Sequence, residues 1–116
     1  FGTQGGDMQD QWILQFFLNV VEFGMDLQEA IDAPSFYTAH FPNSFYPHNV
    51  ENGIIFIEHG IRTEVLYELQ KLGHRLHLLP DHSNGQVGAA GINPKTGVME
   101  AAASPKYDGQ AYALGW

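Results

Sequence analysis

The 116-residue chain contains no cysteine. Disulfides, thiolate nucleophiles and Cys-ligated zinc are therefore outside its chemistry, although the absence fixes no redox compartment. Bases are scarce too: five Lys and Arg stand against thirteen Asp and Glu, a net charge of −8. Five dispersed cations cannot neutralise a run of phosphates, so no nucleic-acid partner is expected. The acids are scattered, as on a solvated surface. No apolar run approaches the roughly 20 residues that span a bilayer. The chain does not start with Met, so its native N-terminus is expected upstream and the compartment, periplasmic, extracellular or cytoplasmic, stays open. Signature motifs are missing as well. There is no GxSxG around Ser35, Ser44, Ser83 or Ser104, and no GxxxxGK[ST], GxGxxG or HExxH. A serine-elbow hydrolase, a nucleotide fold and a zincin thus lack support.

What is present suffices for a folded core. Eight Phe, five Tyr and two Trp accompany an ordinary aliphatic share, and the length suits a single domain over residues 1–116. Met8, Trp12, Phe16 and Val20 recur every four residues, with Ile13, Phe17 and Val21 in a parallel row, predicting a well-buried helix from Met8 to Glu22. Gly24 marks its stop. Asp26 and Glu29 have capping-box spacing for a short second helix that Pro34 terminates. Extended pieces are predicted at 35–37, 44–46 and 54–57, the last apolar on both faces. A third helix is predicted from Arg62 to Leu72 with Val65, Leu66, Leu69 and Leu72 on one face, followed by a strand at 74–79. Residues 86–92 and 98–103 flank the turn Asn93-Pro94-Lys95-Thr96-Gly97 as a hairpin whose Ala and Gly let another layer pack close. A last strand is predicted at 110–114. The sum is an α+β fold with helices on a mostly antiparallel sheet.

The stretch GTQGGD sets two glycines before the first helix. A helix start leaves backbone N–H groups without partners and carries partial positive charge. Glycine lets another group approach that backbone closely. Gly5 and Gly6 can therefore hold a negative oxygen, whether a carboxylate, a phosphate or the oxyanion of acyl transfer, and each fixed donor is worth about 3 kcal/mol to a transition state. A tight loop that merely precedes a helix is the bland alternative. Asp7 is open in the same way: a first-turn acid favoured by the dipole, or a group in a substrate pocket. The six histidines are dispersed. His74 and His77 fall on opposite faces of a strand, so neither a metal nor a cofactor is expected. The aromatics Phe36, Tyr37, Phe41, Phe45 and Tyr46 read as a satellite core under a loop rather than a pocket lining. The chemistry is lopsided: an electrophilic mouth with no nucleophile to match.

FGTQGGDMQ, LNVVEFGMDLQEAIDAP, the LGH after the third helix and GVMEAAASPKYDG together resemble the C-terminal part of gamma-glutamyltranspeptidases, which are N-terminal-nucleophile hydrolases. FGTxGGDxQ and NSFYPH are most similar to the gamma-glutamyltransferase-like subgroup. The resemblance covers essentially the whole chain. It implies part of an αββα sandwich and a precursor that cleaves itself into large and small subunits. It also implies a new N-terminal Thr as nucleophile, with the Thr α-amino group as base. Gamma-glutamyl compounds such as glutathione would be the substrates, transferred or hydrolysed through an acyl-enzyme. By this resemblance the oxyanion diglycine falls on Gly5 and Gly6. The Thr and the large-subunit Arg that grips the glutamyl carboxylate precede this region, so the isolated chain is expected to be inactive. Its partners would be the remainder of the enzyme or a second copy. Two departures touch the site: Ser35 stands where many relatives carry Arg after the AP pair, and Asp7 replaces a small residue. Two rivals remain: a non-catalytic domain that binds a small anion or carboxylate, and an acylase of the same superfamily acting on other amides. An upstream frame with a Thr at a self-cleavage point favours the enzyme; a start codon just before Phe1 favours the binding module.

Overall fold

Helix α1 covers Gln9–Val21, within one residue of its apolar repeat at either end, and a single 3-10 turn, Gly6–Met8, leads into it. In this computed structural model, which describes residues 1–105, the fold is α+β. The span read as one domain comprises two units: Phe1–Ala33 with the chain from Gly85 onward, and residues 34–84. The strand expected at 110–114 lies outside the described residues.

In the first unit, α1 packs against helix α2 (Leu27–Asp32). The predicted capping box is present: Glu29 N donates to Asp26 Oδ1 at 2.7 Å, and Asp26 N donates to Glu29 Oε2 at 3.0 Å. So short a helix depends on its cap. Asp26→Ala is expected to cost about 1 kcal/mol, read as a lower midpoint in chemical denaturation. Strands β4 (Gly88–Ile92) and β5 (Met99–Ala103) form the predicted antiparallel hairpin, with Ala90 opposite Ala101. Its turn is tied by Asn93, whose Oδ1 accepts from Lys95 N at 3.0 Å and whose backbone O accepts from Gly97 N at 2.8 Å. The small side chains do let a layer approach: α2 lies on β5, Ala30 and Ala102 are buried, and Gln28 Nε2 donates to Ala103 O at 3.2 Å.

The second unit is a three-stranded sheet with β2 (Glu51–Glu58) central. β1 (Phe36–Ala39) pairs with it antiparallel, and β3 (Arg75–Leu79) parallel. Helix α3 (Thr63–Lys71) supplies the crossover that a parallel pair requires. Ile55 and Ile57 are buried on the face they share with Leu76 and Leu78. Tyr37 stacks on its register partner Phe56 at 4.7 Å, and Phe56 meets His77 at 5.1 Å, a cross-strand row on the other face.

Antiparallel pairs predominate, as expected; among the described residues they lie in two sheets, and β2–α3–β3 adds a parallel unit. Two expectations need correction. The apolar face of α1 is not well buried: of its residues Phe16 alone is buried, while Leu14, Phe17 and Val21 are exposed. Its stripe is wider than the cover that α2 and the Phe1 ring, 5.1 Å from Phe16, provide. Residues 44–46 form a turn rather than an extended piece, and the aromatics around it are not a satellite core. Phe41 and Tyr46 are 86% and 90% exposed, whereas Tyr37 stacks into the sheet. The loop closes on polar bonds instead: Asn43 Oδ1 accepts from Phe45 N at 2.8 Å, and Asn43 N donates to Asn49 O at 2.9 Å.

Candidate active site

The stretch before α1 is laced to the approach to β4. Gly2 and Gly88 exchange backbone hydrogen bonds at 3.0 and 2.9 Å. Thr3 Oγ1 accepts from Gln86 N at 2.7 Å and donates to Gln4 O at 2.9 Å. The Gln4 and Gln86 side chains bond to each other. The chain then turns through Gly5 at φ 136° and Gly6 at φ 58°, both in the positive region that side chains with a Cβ avoid. Met8 N donates to Gly5 O at 3.2 Å, closing the turn.

This leaves two amides at the helix mouth. Among the described residues neither Gly5 N–H nor Gly6 N–H donates to a backbone carbonyl. Asp7 is exposed in the first turn beside them, as the dipole favours. The structure therefore brings Gly5, Gly6 and Asp7 together in one turn. Their surroundings, Thr3, Gln86, Gly85 and Trp12, escaped sequence reasoning, because contacts across more than seventy residues leave no local periodicity. A Cβ on Gly5 would overlap the Trp12 ring, and one on Gly85 would lie 3.0 Å from Trp12 Cε3.

Among the described residues no nucleophile–base pair accompanies the mouth. The Thr3 hydroxyl is committed as acceptor and donor to the backbone. Ser35 belongs to the 34–84 unit, where its N and Oγ donate to Glu58 Oε2 at 2.9 and 3.1 Å and its Oγ accepts from Asn84 Nδ2 at 3.0 Å. Asn84 N completes the set by donating to Glu58 Oε1 at 2.8 Å. Glu58 and Asn84 are both buried. Burial, and then the Glu51 carboxylate, raise the Tyr37 pKa above its ordinary value of 10.0, so this phenol is no base at neutral pH. A groove of about 300 Å³ between α3 and β3 is lined by Thr63, Leu66, Tyr67, Gln70, Leu76 and Leu78, none of them an acid–base pair. Among the described residues no three His, Asp or Glu side chains gather as metal ligands, and no helix is long and apolar enough to cross a membrane.

The α+β chain thus carries a diglycine amide pair at a helix mouth, with no nucleophile–base pair beside it among the described residues. The family model for Gamma-glutamyltranspeptidase matches residues 1–114, and the chain belongs to that family. It is 27% identical over 113 residues to the glutathione hydrolase proenzyme of Bacillus subtilis (strain 168), a match covering 97% of this chain and 17% of that protein. Among solved structures it is similar to LmbA2991, at 43% identity and a TM-score of 0.83, over 90% of this chain and 19% of that one. It is also similar to the cephalosporin acylase of Bacillus halodurans, at 26% identity and a TM-score of 0.77, over 97% of this chain and 19% of that one. The chain thus spans about one-sixth of the length of the curated relative it matches.

Proposed function

We propose that this chain supplies the oxyanion hole of an enzyme that transfers or hydrolyses gamma-glutamyl groups. The observation that carries the reading is the pair of Gly5 and Gly6 amides, held at a helix mouth with no backbone carbonyl among the described residues to occupy them, in a chain of this family. In the complete protein an N-terminal Thr outside this chain attacks the gamma-amide carbonyl while its α-amino group takes the hydroxyl proton. The carbonyl oxygen becomes an anion, and the two N–H groups receive it. Collapse expels the amine, which carries the proton away, and leaves a gamma-glutamyl ester on Thr. Water or the amine of an amino acid then takes the acyl group. Donors fixed before reaction lower the barrier because nothing reorganises as the charge forms. Asp7, an exposed carboxylate one residue further, suits the ammonium of a gamma-glutamyl substrate.

The isolated chain, without the Thr, is inactive on this reading. The test is the full-length protein assayed with gamma-glutamyl-p-nitroanilide beside this chain. Full-length protein is expected to split in two and release nitroaniline; the chain alone is expected to release none. Gly6→Pro removes an amide donor and imposes φ near −65° in place of 58°, and should cut release by at least about a hundredfold. A protein that splits without releasing nitroaniline favours the second reading, an acylase on other amides, which the likeness to the cephalosporin acylase keeps in view. No splitting and no activity would reduce the diglycine to an anion-binding mouth or a turn.

A further inference from the structure

We propose that Trp12 is a positioning residue for the oxyanion hole, a spacer whose indole sets where the Gly5–Gly6 amides point; this rests on the oxyanion reading above. The ring sits between two stretches far apart in sequence. On one side is Gly5, where a Cβ would run into Cζ3. On the other is Gly85, where a Cβ would lie 3.0 Å from Cε3, 3.1 Å from Cδ2 and 3.2 Å from Thr3 Oγ1.

Gly85 is the informative member. Its φ is not in the positive region, so its backbone does not call for glycine. Replacing glycine by alanine at such a position ordinarily stabilises, because the unfolded chain loses freedom. At Gly85 the ring and the Thr3 hydroxyl occupy the space instead. Thr3 Oγ1 accepts from Gln86 N at 2.7 Å, so a shift of Gly85 is passed to residues 2–5 by a hydrogen bond as well as by the indole. Trp12 stands on α1, one turn beyond the 3-10 turn that Gly6 opens, so the rigid helix carries the spacer. The hydrogen bonds hold the loop along its length, and the indole fixes its height above the helix.

Misplacing a donor by a fraction of an ångström weakens the transition state more than the bound substrate. Gly85→Ala in the full-length protein is therefore expected to lower kcat on gamma-glutamyl-p-nitroanilide about tenfold while KM stays within about twofold. Trp12→Leu should lower kcat by a similar factor. Because both act through one contact, the double variant should lose far less than the product of the two, the smaller side chain making room for the new methyl. Thermal stability and extent of self-cleavage, measured alongside, separate this from a loss of folded protein. If Trp12→Leu does not fold, Trp12→Phe replaces it under the same criterion. An unchanged kcat in the single variants, or losses that simply multiply, overturns the proposal while wild-type release and its loss in Gly6→Pro leave the oxyanion reading standing. A wild-type protein that releases no nitroaniline overturns both.

Discussion

Gly5→Ala in the full-length protein is expected to lower kcat on gamma-glutamyl-p-nitroanilide by at least about a hundredfold, although it removes no hydrogen-bond donor. Two independent costs meet at this residue. Its φ of 136° lies where side chains with a Cβ are essentially not found. The new methyl would also overlap the Trp12 ring. Alanine can escape both by turning φ negative, and that rotation swings the amide planes on either side of the residue. The Gly6 amide, which follows the Gly5 carbonyl, then leaves the mouth. The bonds at Thr3 and Gln86 hold the preceding residues, so the rearrangement is confined to the turn rather than spread along the chain. The expected signature is a collapse of kcat with a nearly unchanged KM, measured on protein that still splits into two chains. Relieving the overlap alone, with Trp12→Leu beside Gly5→Ala, should not restore activity, since the positive φ remains. This outcome differs from the rescue expected at Gly85, and the contrast separates backbone conformation from packing.

Local chemistry made much of this molecule legible in advance. The four-residue recurrence from Met8 to Val20 became α1, the Asp26–Glu29 spacing became a capping box, and Asn93 to Gly97 became the hairpin turn. Each is decided by spacings of three to four residues along the chain. What escaped was decided at longer range. A parallel β2–β3 pair is written in the order strand, helix, strand, but neither strand's side-chain pattern separates parallel from antiparallel pairing. The wide stripe on α1 read as buried because periodicity reports which face is apolar and not what covers it. At the site, Gly5, Gly6 and Asp7 were visible because glycine before a helix has a backbone meaning. Trp12 was visible only as one apolar residue in a repeat; its contact with Gly85 depends on the hairpin returning to Gly2.

Glu58→Ala is expected to carry the largest stability loss, about 3 kcal/mol, within the range for breaking up a buried hydrogen-bonded charge. Glu58 is 4% exposed, and no Lys or Arg pairs with it among the described residues. Three neutral donors take the place of a counter-charge: Ser35 N, Ser35 Oγ and Asn84 N. Hydrogen bonds to an ionised acceptor are stronger than neutral ones, and they offset the desolvation of the carboxylate. Removing the side chain leaves buried N–H groups with nothing to meet, which costs more than the bonds themselves contributed. Ser35, which follows the Ala33-Pro34 pair, belongs to the same arrangement. Its hydroxyl donates to Glu58 and accepts from Asn84 Nδ2, so it joins the start of β1 to the loop after β3 without a second charge. Ser35→Ala should therefore cost about 1 kcal/mol, and combined with Glu58→Ala it should add almost nothing, because the network is already broken. Hydrogen exchange on the full-length protein reads this locally: amides 35 and 84 should exchange much faster in Glu58→Ala, while those of α1 keep wild-type protection. Unchanged exchange at 35 and 84 would mean that the carboxylate does not hold these two segments together.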